Sequence, residues 1–411
     1  MSTSESRKVM VIGKPYVIDS ENGKVRLCAD ITLDEKRTLY YEVDKEYKQF
    51  LCEDRLDAFL VGLLHTAMFE DIDIECEAPV TEQLLFQLNT YYIPTLADNM
   101  SNMFSITIKA QPTTEVVENA KAVGTGNSGG VDSLYTMLKY SNKEFGSYKL
   151  THVMFNNVST EDTDEERIRA LFERDCIEKK KSSEELNLKF IGLFTNLYSF
   201  YRHPGVFNHF FAPQYVSAVY ALAKLFSVYY FSSTFEVNKF SMDEKVIHSG
   251  GRFDLFTLDC CSTSFLKVYS AGAEVDRMGK TNYIINKEFT QKHLQVCAVE
   301  QSFGGSEVIS KLNCGWCHKC SRTISILYAY RLLDKYADIF DLTLFNKNRA
   351  KFIGRALAID QKSFALTVKD ILKKEKLMPR NTMLWYRFYK FRTKLTHYPK
   401  LVALYRKIKR K

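Results

Sequence analysis

One stretch, AVGTGNSGGVDSLYTMLKY from Ala122 to Tyr140, constrains the fold more than any other in this 411-residue chain. A short apolar run ends at Gly126, small polar residues follow, and from Val131 apolar residues recur at helical spacing. That order specifies a strand turning tightly into a helix. The same alternation continues downstream. THVMFNNV, KFIGLFTNL, VYYFSSTF and FLKVYSA are short and apolar, and helix-length segments such as DEERIRALFERDCIEKKK separate most of them. Alternation on this scale predicts βαβ units, and so an α/β fold with a doubly wound parallel sheet covered by helices on both faces.

The ends of the chain differ. Residues 7–50 read as strands, with turn chemistry in DSENGK, and RLDAFLVGLLHTAMFED places Leu56, Phe59, Leu60, Leu63 and Leu64 on one helical stripe. DIDIECE and FSITIKA read as strands on either side of a helix, TEQLLFQLNTYYIPTL, and QPTTEVVEN reads as a linker. The expected organisation is an N-terminal α+β module over 1–115, the doubly wound domain over 116–330, and a helical C-terminal region with a basic tail over 331–411.

The net charge of +8 is not spread evenly. Residues 372–411 carry 14 Lys/Arg and one Glu, and removing that +13 from the whole-chain +8 leaves 1–371 near −5. Basicity therefore belongs to the tail, LWYRFYKFRTKLTHYPKLVALYRKIKRK, whose interleaved aromatic and basic residues suit an acidic partner, a membrane surface or RNA. The opening MSTSESRKVMVIG lacks the order of a secretory signal, and the most apolar run, Tyr215 to Phe235, contains Lys224 and several serines. No transmembrane segment is expected, and the expected location is cytoplasmic.

The turn after Gly126 carries the chemistry. Ligands of open α/β sheets bind beyond the carboxyl ends of the strands. Gly129 and Gly130 permit close backbone approach, and the helix opening at Val131 directs free N–H groups and a positive dipole end outward. Ser128 and Ser133 add hydroxyls, completing a cradle of the kind that holds phosphate. It is not a Walker loop, because Asp132 stands where a lysine is needed. A carboxylate there suits Mg²⁺ bridging phosphates, so the expected ligand is ATP with Mg²⁺, cut between the α and β phosphates. Ser128 and Asp132 are the expected catalytic residues of the loop. Arg277 and Lys280, three apart, are candidates for neutralising the departing pyrophosphate. Ser232 and Ser233 end a central strand at the same edge, and Phe155 and Asn156 end the second strand, where they would border adenine. His203 and His209 read as loop or core histidines. Cys260 and Cys261, being adjacent, cannot both face one site from a strand.

A second constellation is CGWCHKC, with Cys314, Cys317 and Cys320. Two successive Cys-x-x-Cys spacings let one turn present three thiolates to one ion. Cys297 or, less suitably, His318 would complete a tetrahedral site. The glycine in the knuckle and the third cysteine favour structural Zn²⁺ over a redox pair or an iron–sulfur site.

Residues 128–133 resemble the pyrophosphate loop of the N-type ATP pyrophosphatases, the PP-loop superfamily with its adenine nucleotide alpha hydrolase-like fold. The late Cys-Gly-x-Cys-x-x-Cys narrows the resemblance to 7-cyano-7-deazaguanine synthase-like proteins carrying an added N-terminal module. It covers about residues 120–330. It implies adenylation of a substrate carboxylate or amide oxygen with release of pyrophosphate, then displacement of AMP by ammonia or an amine. Related readings are a glutamate epimerase of the muramoyl-dipeptide type, a tRNA sulfurtransferase, and a non-catalytic nucleotide-binding component of a defence or polysaccharide locus.

Overall fold

The computed structural model describes residues 7–142, 144–160, 162–201, 211–244, 249–297, 311–359 and 362–396. His203, His209 and the tail beyond residue 396 lie outside them. The chain forms two compact units, one of residues 1–128 and 132–280, the other of 129–131 and 281–411.

The first unit is built on one sheet of eleven strands. Its members are β1 (Val9–Ile12), β2 (Tyr16–Asp19), β3 (Lys24–Thr32), β4 (Lys36–Asp44), β5 (Asp73–Cys76), β7 (Ile108–Lys109), β9 (Ala122–Gly126), β10 (His152–Asn156), β11 (Lys189–Thr195), β12 (Phe226–Ser232) and β13 (Lys267–Ala271). β6 (Val80–Thr81) and β8 (Pro112–Thr113) form a separate pair. The order is β13-β12-β9-β10-β11-β4-β3-β1-β5-β7, with β2 on β3.

The five strands β9 to β13 are mutually parallel, as the strand–helix alternation predicts. Taken in chain order they lie 3-2-1-4-5, so β9 is flanked by β10 on one side and β12 on the other. The direction of winding reverses at β9. Its carboxyl end is therefore the topological switch point, where such sheets open a crevice.

The N-terminal strands do not stay in a module of their own. β4 pairs antiparallel with β11, Glu42 opposite Phe194 and Tyr41 opposite Thr195, and this joins both halves into one mixed sheet. Side chains fix the junction: Asn196 Oδ1 accepts from Tyr40 N at 3.0 Å, and Thr195 Oγ1 donates to the Tyr40 carbonyl at 2.6 Å. Without β4, β11 would present an open edge of unpaired backbone groups. The sheet runs unbroken past residues 115–116, and the chain divides into compact units near residue 280.

Local chemistry explains the hairpins. Asn22 and Gly23 both have positive φ, 56° and 70°, and form the tight β2–β3 turn that the ENG tripeptide specifies. Helix Asp57–Glu70 is buried along Asp57–Phe69, on every face rather than one stripe. It packs between the sheet and helix Phe211–Ala221, and the sheet alone would not have covered its second side. Helix Glu82–Gln87 continues through a π-helical turn, Leu88–Tyr92, into Ile93–Asn99, and Tyr92 closes a buried hydrogen bond to His65 Nε2 at 2.8 Å. Among the described residues no helix is long and apolar enough to cross a membrane.

One buried acid gives the first unit a pH signature. Asp254 is 3% exposed, and its Oδ2 has no hydrogen-bond partner among the described residues. Burial pushes its carboxyl up to about 8. The folded chain keeps this proton where the unfolded chain has already released it. Stability is therefore highest below the ordinary carboxylate range and declines as pH rises toward 8, by about 1.4 kcal/mol per pH unit while the two states differ by a full proton. We expect Asp254→Asn to melt progressively higher than the wild type as pH rises from 4.5 to 8 in a thermal-unfolding series. A difference in melting temperature that stays constant with pH would contradict a buried protonated acid.

Candidate active site and metal centre

Ser128 and the first turn of the helix from Val131 follow the end of β9, and β12 and the helix from Arg277 bring further side chains to them. Ser128 and Ser133 face each other with their hydroxyls 3.2 Å apart. Gly129 has φ of +74°, the conformation that turns strand into helix with least strain. Gly130 follows, and helix Val131–Tyr140 begins at Val131, with Asp132 in its first turn. In the strand pairing β12 lies against β9, so Ser232 comes beside this helix, where its hydroxyl donates to Thr136 Oγ1 at 2.9 Å.

Asp132 is the centre of charge. Arg277, at the start of helix Arg277–Ile284, pairs with its Oδ2, and Lys280 Nζ lies 3.2 Å from Oδ1. Lys280 also donates to the carbonyl of Ser233, which fixes it between the helix and the end of β12. Lys280 is 1% exposed, against 31% for Arg277 and 21% for Asp132. Burial holds the Lys280 ammonium below its ordinary range, opposed by the Asp132 charge. Two cations on one carboxylate leave one positive charge over, in a place where backbone N–H groups and hydroxyls also converge. That arrangement can receive a polyanion by exchanging Asp132 for phosphate oxygens.

The other predicted residues divide. Asn156 ends β10 and is 8% exposed, and its buried Oδ1 has no hydrogen-bond partner among the described residues. Phe155 is stacked on Phe172, ring centroids 5.5 Å apart, against a cluster that includes Tyr40 and Phe194. Its ring is engaged in packing on that face of the sheet. The Ser233 hydroxyl donates to the Phe235 carbonyl, and its own carbonyl accepts from Lys280, so this serine meets Lys280 through its backbone. Two residues were missed by sequence reasoning. Thr136 ties the helix to Ser232, and Glu274 pairs with Lys139 and accepts from Tyr135 Oη at 3.0 Å, fixing the loop before Arg277 to the same helix.

A groove of about 970 Å³ opens at the opposite, amino edge of the sheet, lined at the strand starts by Ala122, His152 and Lys189. Burial lowers His152 to about 4, so its ring is neutral there. Since open sheets bind nucleotides at the carboxyl edge, size alone does not make this groove the site.

The second unit holds the cysteine cluster. The sulfurs of Cys297, Cys314, Cys317 and Cys320 all lie within 4.8 Å of one another, and Cys314 and Cys320 are 3.8 Å apart. Four sulfurs about 2.3 Å from a tetrahedral zinc would be separated by about 3.8 Å. The cluster could thus hold a metal ion such as zinc. Backbone N–H groups support it: Trp316 and Cys317 donate to Cys314 Sγ at 3.5 and 3.4 Å, and Cys320 N donates to Cys317 Sγ at 3.4 Å. Such bonds favour thiolates. The hydrogen bond with Cys314 holds the Cys297 thiol below its ordinary range. His318 is outside the group and lies 3.4 Å from Arg322.

Asn313, fully buried and next to Cys314, was also missed by sequence reasoning. Its Oδ1 accepts from Val296 N at 2.8 Å and Cys297 N at 3.2 Å, and its Nδ2 donates to the carbonyls of Leu294 and Ile339. One carboxamide thereby holds the segment bearing Cys297 against the knuckle. The six remaining cysteines, Cys28, Cys52, Cys76, Cys176, Cys260 and Cys261, are all raised by burial. None of these is an activated thiolate. Comparison with protein-family models, with curated proteins and with solved structures found no match.

Proposed function

We propose that this protein is an AMP-forming, ATP-dependent enzyme of the pyrophosphatase-loop kind. The observation that supports this most is the convergence of Arg277 and Lys280 on Asp132 in the first turn of the helix that leaves the switch point. In this reading the β and γ phosphates enter the cradle of Ser128, Gly129, Gly130, Val131 and Ser133, and Arg277 and Lys280 turn from Asp132 to the phosphates. Asp132, freed, would hold Mg²⁺ together with the Ser128 and Ser133 hydroxyls, and the ion would neutralise phosphate charge. Asn156 would accept from the adenine amino group, and the edge of β12 at Ser232 and Ser233 would border the nucleotide.

The chemistry then needs little from the protein beyond positioning and charge neutralisation. A carboxylate or amide oxygen of the substrate attacks the α-phosphorus, and the bond from that phosphorus to the bridging oxygen breaks. The electron pair stays on the bridging oxygen of the leaving pyrophosphate, whose charge Arg277 and Lys280 neutralise. Ammonia or an amine then adds to the activated carbon and expels AMP. The cysteine cluster takes no step in this sequence. In this proposal its metal is zinc and its role is to hold the second unit together. Burial of the six other thiols counts against a sulfurtransferase.

Calorimetry tests the site without the substrate. Mg·ATP should bind, inorganic pyrophosphate should compete, and Arg277→Ala should weaken both by about 10–100-fold, the worth of a charged hydrogen bond. Failure of pyrophosphate to compete with ATP would remove the reading. Once a substrate is in hand, incorporation of labelled ammonia separates a ligase from an epimerase, which would release AMP without taking up nitrogen.

A further inference from the structure

Helix Thr382–Thr396, in the second unit, has two unlike faces. Its inner face sits on helix Arg349–Ile359 at Gly354, where a β-carbon would come within 2.6 Å of Trp385 Cβ and 2.8 Å of the Thr382 carbonyl. Thr382 is 1% exposed, Trp385 stacks toward Tyr389, and Lys351 caps the Trp385 ring at 5.2 Å. The outer face carries Leu384, Phe388 and Phe391, which are 63%, 52% and 61% exposed. Their spacing, i, i+4 and i+7, places them on one stripe. Single exposed apolar residues need no explanation, but three aligned on one helix do. Arg387 and Lys390 flank the stripe on one side and Arg392 on the other, all exposed. The sequence beyond, 397–411, adds six Lys/Arg and no acid.

We propose that this face docks on an anionic lipid bilayer, with the helix lying in the plane of the surface. The charge pattern selects this occupant. An anionic headgroup layer supplies counter-charge to Arg387, Lys390 and Arg392 at the same depth on both sides, while the layer beneath takes Leu384, Phe388 and Phe391. RNA would satisfy the cations, but it offers aromatic stacking to Phe388 and Phe391 and nothing to Leu384. A helix of 15 residues is about 22 Å long, too short to span a bilayer, and its flanking charges exclude insertion across one.

The test is flotation of the full-length protein with phosphatidylglycerol/phosphatidylcholine vesicles and with pure phosphatidylcholine vesicles. Binding is expected to the anionic vesicles alone, with a blue shift of the added indole in Phe388→Trp. The exposed triple variant Leu384→Ser/Phe388→Ser/Phe391→Ser should bind at least about tenfold more weakly, and Arg387→Glu/Lys390→Glu/Arg392→Glu more weakly still, since each basic residue at such a surface is worth roughly fivefold. Four results would each overturn the proposal. They are no binding to anionic vesicles, binding retained by both variants, variant-sensitive binding to single-stranded RNA in place of vesicles, and variant-sensitive self-association in their absence. Unchanged circular dichroism of the variants excludes misfolding as the cause of a loss.

Discussion

Asp132→Asn is expected to lower AMP formation by about 10²–10³-fold, the usual effect of removing one preorganised electrostatic group from an active site. The substitution keeps the shape and removes the charge. It should act on turnover more than on ATP affinity, because Arg277 and Lys280 remain to meet the phosphates. It also leaves Lys280, 1% exposed, with a neutral neighbour. Stripping a partner from a buried pair costs about 3–5 kcal/mol, and the partial exposure of Asp132 and Arg277 reduces that to about 1–3 kcal/mol. The pairing predicts non-additivity: Lys280→Met should recover part of the stability lost in Asp132→Asn, since the double variant buries no uncompensated cation. Full activity in Asp132→Asn would refute the role given to this carboxylate.

The largest structural effect is expected at Gly315. Its φ is +74°, and a β-carbon there would lie 1.7 Å from the Asp341 carbonyl oxygen, a backbone atom that cannot swing away. Gly315→Ala must therefore open the turn that carries Cys314 and Cys317. We expect it to abolish metal retention as fully as Cys317→Ser does, taking zinc from about one per chain to none by elemental analysis. Structural zinc contributes about 10–16 kcal/mol in small zinc domains, as much as a whole domain's stability. Both variants, and the wild type treated with chelator, should then show early proteolysis within 281–411. Metal content and melting unchanged in Cys317→Ser would show that the four sulfurs hold nothing.

The elements that were legible in the sequence share a property: their signal is local. Period and length marked β9 to β13, Asn22-Gly23 marked a hairpin turn, and glycine with flanking hydroxyls marked the loop. Arg277 and Lys280 were legible as one face of a helix, though nothing in the sequence said that this face meets Asp132. The features that were not legible are all contacts between distant segments. β4 joins β11 because both edges needed a partner, and edge availability is a property of the assembled sheet. Asn313 reads as an ordinary polar residue until Leu294, Val296, Cys297 and Ile339 surround it. Phe155 was expected to border adenine at a strand end, and its ring stacks on Phe172, seventeen positions on. Asn156 shows the reverse: only the completed sheet reveals an acceptor left without a donor.

Which bond of ATP is cut separates adenylation from every other use of this loop. Purified protein is incubated with Mg·ATP labelled at the α or the γ phosphate, together with small-molecule extract from its host, and the products are separated. Adenylation gives labelled AMP from the first and labelled pyrophosphate from the second, both absent in Ser128→Ala. ADP and inorganic phosphate, lost in the same variant, would show that the loop grips ATP in another register and that no adenylate forms.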